Sequence, residues 1–467
     1  MFSRRSVKPG LFVLVVGVAG SLPHAFAGVL QFRPYLTVGE IYTDNLFLVP
    51  PGTPREDAFI TEIEPGFKLN YVAPRLQGNI DYSLQGLLYP GHSDMNHAYN
   101  RLNANGTLEA VENWLYIDGR TIYGHQVIDP EKTGGRSNLF GGGNRASYSA
   151  TTLSPYLMHN FGSVGIATLR YSYGRASYSR DIPDTTSNTW SFLLARQPEY
   201  GPLTYDLLYV DQELDQQQGE TLSFKRARVG LQYHVSPRSA LLADAGKENN
   251  FLPDGTIDEL GATFWDVGAS FNTEEDNFKV LFGHRFFGTS YDFEWHHDGA
   301  DFHTDMSYRE EPTNYNRLIL GREPSTLVTA PLPYARLPSL RDRRIFILKR
   351  ASVGMAFDLS DSQIRVRLYD EHRDYVQLDE TDHVVGGRLE WEFALGNRDS
   401  LVPSYSYRRY DFRDGQINYY YRSQIEWRHQ LSRSLKLHLA LRNERRNSEL
   451  GKSYRVNTAV LELTKYF

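Results

Sequence analysis

The 467-residue chain contains no cysteine. That excludes a disulfide framework, a thiol nucleophile and a thiolate metal site. It has no basic excess either: 50 Lys and Arg face 56 Asp and Glu, a net charge of −6, which argues against nucleic acid as a partner. Past residue 27 no apolar run approaches the ~20 residues of a membrane-spanning helix. Nothing matches the G-x-S-x-G pattern of serine hydrolases. With 14 His in the chain, chance Ser/His and Asp/His pairs are uninformative. No catalytic residue, cofactor or metal site is expected, and the chain reads as a non-enzyme.

What is present begins with an export signal. Arg4, Arg5 and Lys8 form a basic head, an apolar run covers Leu11 to Val18, and Ala25-Phe26-Ala27 has the small-x-small cleavage pattern. Residues 1–27 are expected to be a signal peptide cleaved near Ala27; "SRRSVK" also faintly resembles a twin-arginine signal. An exported chain without a helical span is either soluble or crosses a membrane as a closed β-barrel.

Two-residue alternation addresses that choice. "LKLHLAL" sets Leu435, Leu437, Leu439 and Leu441 against Lys436, His438 and Ala440. "RLEWEF" sets Leu389, Trp391 and Phe393 against Arg388, Glu390 and Glu392, and "QIRVRLY" sets Ile364, Val366 and Leu368 against Arg365, Arg367 and Tyr369. "YYYRSQIEWR" sets Ile425 and Trp427 against Arg422, Glu426 and Arg428. Each is a strand with one apolar and one charged face. A soluble sandwich alternates in the same way, but these strands run about 10–16 residues, long for globular sheets and suited to a tilted bilayer crossing.

Short turns such as "VAPR" (72–75), "VSPR" (235–238) and "LSRS" (431–434) alternate with longer polar or Gly-rich loops such as 128–143. That rhythm predicts an all-β, transmembrane antiparallel up-and-down barrel over 28–467, of about twenty strands (range 16–22). Residues 276–358 read as one overlong hairpin with a large outer loop at about 294–342, or as two further strands. The closing stretch "LELTKYF" alternates to its last residue, as a strand that pairs with the first to abolish both sheet edges must. It also resembles the C-terminal pattern read by the barrel assembly machinery, although Lys465 stands where an aromatic is usual.

The first hairpin carries Tyr42-Thr43-Asp44-Asn45, then Asp57-Ala58-Phe59-Ile60-Thr61 and Glu64-Pro65-Gly66. It resembles the outer-membrane β-barrel porin family, in its branch associated with exopolysaccharide and exosortase loci. The resemblance implies a Gram-negative outer-membrane barrel that serves as exit channel or accessory porin for secreted polysaccharide or other hydrophilic solutes. Expected partners are outer-membrane lipid and lipopolysaccharide, the assembly machinery, the polysaccharide and periplasmic export components. Asp44 and Asn45 also have a plainer reading as strand-ending turn formers.

The candidate pore-lining residues are Arg365, Arg367, Arg388, Glu390, Glu392, Arg422, Glu426 and Arg428. They read either as a conducting polar wall or as ion pairs that fill the interior; mixed signs predict weak ion selectivity. Tyr82, Tyr369 and Tyr420 fall on the same predicted face, as sugar-stacking or as packing residues. His296, His297, Asp298, Asp301, His303 and Asp305 fall in the expected outer loop, and no known metal template matches their spacing. The Pro-rich segment 312–342 is the expected gate, its Arg317, Arg322, Arg336 and Arg341 pairing with lumen carboxylates. A non-conducting structural or glycan-binding barrel is the alternative.

Overall fold

The computed structural model describes residues 28–129, 137–140, 144–180, 182–217, 221–251, 260–321, 344–376, 380–449 and 451–467. The expected signal peptide and residues 322–342 of the expected gate, with Arg322, Arg336 and Arg341, lie outside the described residues.

The first eight strands are β1 (Val29–Thr43), β2 (Ala58–Val72), β3 (Leu76–Leu88), β4 (His97–Val111), β5 (Leu115–Val127), β6 (Arg145–Asn160), β7 (Ile166–Tyr178) and β8 (Thr185–Ala195). The next seven are β9 (Leu203–Gln216), β10 (Thr221–Ser236), β11 (Ser239–Phe251), β12 (Leu260–Asn272), β13 (Asp276–Arg285), β14 (Gly288–Asp298) and β15 (Phe302–Thr313). A short helix, α1 (Tyr315–Leu320), precedes β16 (Phe346–Leu359), β17 (Ser362–Tyr375), β18 (Glu380–Ala394) and β19 (Asp399–Asp411). The chain ends on β20 (Ile417–Ser432), β21 (Leu435–Ser448) and β22 (Tyr454–Tyr466). Each strand pairs antiparallel with the next, and β22 pairs with β1, so the described residues form one closed barrel of 22 strands.

The strand count falls within the expected 16–22 and matches the second reading of 276–358, two further strands. Residues 276–358 hold four strands, β13 to β16, and no outer loop begins at 294. The β14–β15 turn lies on the near rim, the one that carries both the start of β1 and the end of β22. The extra hairpin was hidden because its far tip is only Phe286-Phe287, an apolar turn without a polar loop. Gly288 completes that tip at φ +110, a conformation side chains disfavour.

Alternation sets the faces. Leu368, Leu389, Ile425 and Leu441 lie on the outer face, about half or more exposed, in an apolar belt of the kind that faces lipid. This is a transmembrane barrel. At the near rim two matching anchors sit in that belt's edge. Trp295 Nε1 and His297 Nδ1 both bond Asp276 Oδ1, at 3.0 and 2.9 Å. Trp427 Nε1 and His429 Nδ1 both bond Asp399 Oδ1, at 3.1 and 2.7 Å. Indoles with a satisfied N–H suit a lipid–water boundary.

The closing seam runs from Tyr35↔Tyr466 to Thr43↔Thr458. It is bonded to the end: the Phe467 N–H donates to the Pro34 carbonyl at 3.0 Å. At the far end Asp44 accepts from the Asn457 backbone and side-chain amides, at 2.7 and 2.6 Å. Asn45 donates to the Arg455 carbonyl at 3.0 Å and to the Val49 carbonyl at 3.1 Å. The two residues do end a strand, and they also fasten the first strand to the last.

Candidate functional site: a barred lumen

After Thr313 the chain turns into the barrel. Asn314 caps α1, accepting from the Arg317 backbone N–H at 2.9 Å. The helix has six residues, too few to stand alone in water, so its stability comes from what it touches. Tyr315, Ile319 and Leu320 are buried in a cluster with Ala146, Ala150, Ala176, Tyr178, Leu214 and Phe224, the inner face of β6 to β10. From the other side Leu318 packs on Phe346, Leu348 and Tyr375, the inner face of β16 and β17. α1 therefore bridges two nearly opposite walls.

Polar contacts lock it. Tyr315 accepts from Gln126 on β5, and Tyr178 donates to Asn316 at 3.0 Å. Complete burial pushes the Tyr315 hydroxyl well above its usual range, so it stays neutral. Arg317 donates to Gln212 Oε1 at 2.8 Å and to the Pro312 carbonyl at 2.7 Å, with its guanidinium 4.4 Å from the Phe224 ring centre. Gln212 also donates to the Gly321 carbonyl at 3.3 Å. Arg317 thus meets a neutral amide, a carbonyl and an aromatic face.

A second inward segment closes in from the β1 side. Leu139 and Phe140, on the far-rim connection after β5, are buried against Ile41, Ile60 and Leu87 of β1 to β3 and Val456 and Val460 of β22. Tyr89 donates to the Leu139 carbonyl at 2.8 Å, and Asn138 donates to Gln85 at 2.9 Å.

The eight charged candidates all stand opposite the exposed apolar row of their strands, and many of them join in ion pairs. Arg365 pairs with Glu390 at 2.6 Å and Glu392 at 2.8 Å, and Arg388 pairs with Glu390. Arg428 joins Glu392 at 3.7 Å to Glu426 at 2.6 Å. His438 extends the line, from Glu426 at 3.6 Å to Glu462 at 3.0 Å. Arg422 lies 3.6 Å from Glu444. The result is a chain of alternating sign along β17, β18, β20, β21 and β22. His438, Glu444 and Glu462 were not singled out from the sequence. The charged face of "LKLHLAL" carried that signal for His438.

Other predicted positions divide. Tyr369 and Tyr420 face inward, but Tyr420 is packed with Val384, Tyr410 and Phe412, and Tyr369 lies against the same cluster. Tyr82 faces outward, paired with Phe67 with ring centres 5.6 Å apart, so it is not a lumen residue. The His/Asp stretch at 296–305 lies at the near rim, in β14, its turn and β15. Strand alternation splits it: His297 faces out to Asp276, while His296 faces in to Asp305 at 2.7 Å, and His303 to Asp358 at 2.9 Å. His303 also meets Asp298, beside the His296–Asp305 pair, but among the described residues the stretch gathers no three-ligand group.

Fold and site together define a large transmembrane β-barrel whose lumen is crossed by its own connections. No protein-family model matches the chain, and no curated protein matches it in sequence. Among solved structures it is similar to the FrpB iron transporter from Neisseria meningitidis, with a TM-score of 0.54 and 8% identity, over 94% of this chain and 82% of that one. It is also similar to the siderophore receptor PirA from Acinetobacter baumannii, with a TM-score of 0.50 and 7% identity, over 93% and 80% of the two chains. At such identities the likeness concerns the fold.

Proposed function

We propose that this chain is an outer-membrane pore with a barred lumen, near rim in the periplasm, and that it passes a secreted polysaccharide or similar hydrophilic solutes. The observation that carries this reading is α1, held between opposite walls of a 22-strand barrel. A barrel of that size encloses more space than its inward side chains fill, and an unguarded hole would leak. A built crossbar suits a conduit that opens on demand. Arg365, Arg367, Arg388, Glu390, Glu392, Arg422, Glu426 and Arg428 then form the polar wall that the solute passes. The polysaccharide cargo rests on the first hairpin's resemblance to the exopolysaccharide-associated porin branch.

A second reading, uptake of a bulky chelate, is favoured by likeness to barrels named as siderophore receptors and iron transporters. A deletion strain separates the two. Loss of secreted polysaccharide with normal growth under iron limitation is the expected result. Wild-type polysaccharide with impaired growth on ferric siderophores reverses the assignment. Wild-type behaviour in both assays, with no conductance in planar bilayers under any condition, leaves a non-conducting structural barrel.

A further inference from the structure

The outer face carries a cluster that the pore reading does not use. On β17 the outward row runs Ile364, Val366, Leu368 and then Asp370 and His372. On β18 it includes His383, the direct cross-strand neighbour of His372. The two imidazoles stack, ring centres 4.1 Å apart and planes 10° from parallel. His372 Nε2 lies 3.2 Å from the Asp370 carboxylate, and His383 Nε2 lies 3.2 Å from both of its oxygens. All three donor atoms fall within 4.8 Å of one another.

We propose that Asp370, His372 and His383 bind one divalent transition-metal ion of the zinc class. Bonds of about 2.0–2.1 Å in a tetrahedral site put neighbouring ligand atoms roughly 3.3 Å apart, close to the 3.2 Å from each imidazole to Asp370; the stacked rings turn out of parallel to aim both lone pairs at one ion. Two imidazoles and one carboxylate suit zinc, copper or nickel and not calcium or magnesium, which take oxygen ligands. The far side of His383 faces Asp411, whose Oδ2 is 3.8 Å from Nδ1, while its Nε2 points to Asp370. The neighbouring cations are already engaged: Lys349, opposite His372, is 2.8 Å from Asp374, and Arg409 is 2.8 Å from Asp411. Side-chain exposures of 45% for Asp370, 46% for His372 and 28% for His383 make the site reachable from solvent. Three protein ligands leave a fourth position for water or an anionic group. Asp370 stands two residues beyond Leu368, at the edge of the apolar belt, where lipid head groups lie.

The test is zinc chloride titration of the full barrel in detergent, with folding checked by heat-modifiable migration. One equivalent is expected, with affinity falling at least about tenfold in His372→Ala and in His383→Ala and the equivalent lost in the double variant. Asp370→Asn, which keeps the volume and one acceptor, should also weaken binding, whereas His296→Ala at the near rim should not. If the double variant does not fold, cobalt(II) on the wild-type barrel decides, as visible ligand-field bands displaced by one equivalent of zinc. A wild-type barrel that binds no zinc, or a folded double variant that binds it unchanged, overturns the proposal. So does a cobalt spectrum indistinguishable from the free ion.

Discussion

Asn45 is fully buried, and its side chain holds three backbone groups: the Val49 N–H, the Val49 carbonyl and the Arg455 carbonyl. Asn45→Ala strips all three, and a buried polar group left unpaired costs about 1–3 kcal/mol. The urea midpoint of the folded barrel should drop accordingly; an unchanged midpoint would mean the far end of the seam is not under tension. Leu439, in the middle of the outward row from Leu435 to Leu441, tests the register. Leu439→Arg should cost about 2–4 kcal/mol in lipid. Glu426→Gln on the opposite face should cost about 1 kcal/mol or less, because the amide keeps hydrogen bonds. Both of its cations also retain a second partner, Glu392 for Arg428 and Glu462 for His438. The reverse ranking would shift the face assignment by one residue.

α1 is stable only in place, since six residues make too few internal bonds to persist alone. Its apolar residues touch both walls, so removing it should widen the passage without touching the ladder. The cut must spare Pro312 and Thr313, which still pair with Ile347 and Phe346. Replacing 314–343 by a short Gly-Ser turn should raise single-channel conductance severalfold in planar bilayers. Unchanged conductance from a folded barrel would remove α1 as the constriction. The paired Trp/His/Asp anchors show the same logic at the near rim: each is made by two adjacent strands and by neither strand alone.

For the whole barrel, charge balance predicts permeation. The wall along β17 to β22 alternates Arg and Glu in contact, so neither sign dominates the field a passing ion feels. In a salt gradient the barrel opened by loss of 314–343 should show a reversal potential near zero. A strongly cation- or anion-selective value would place an unbalanced charge at the narrowest point. Closure is also a property of the whole: the β1–β22 seam joins segments more than 400 residues apart, as the Asp44–Asn457 bond shows, so nothing local stabilises it until the other strands are in register.

Strand identity, facing and barrel class were legible in the sequence because membrane strands repeat with period two, and a lipid face tolerates almost nothing charged. Leu368 against Arg367, and Ile425 against Glu426, display that rule locally. Strand number was less legible, because the Phe286-Phe287 tip is short and apolar and so resembles strand. Tyr82 was assigned to the wrong face because its neighbours Asp81 and Ser83 are polar, and small polar side chains also occupy the inner wall. Only the tertiary structure decided what the connections do. That Arg317 meets Gln212 and Phe224 depends on which wall α1 reaches, and neighbours in the chain do not set that. The same holds for Asp370, His372 and His383: the meeting of the first two with His383 on the next strand exists only once β17 and β18 are paired in register.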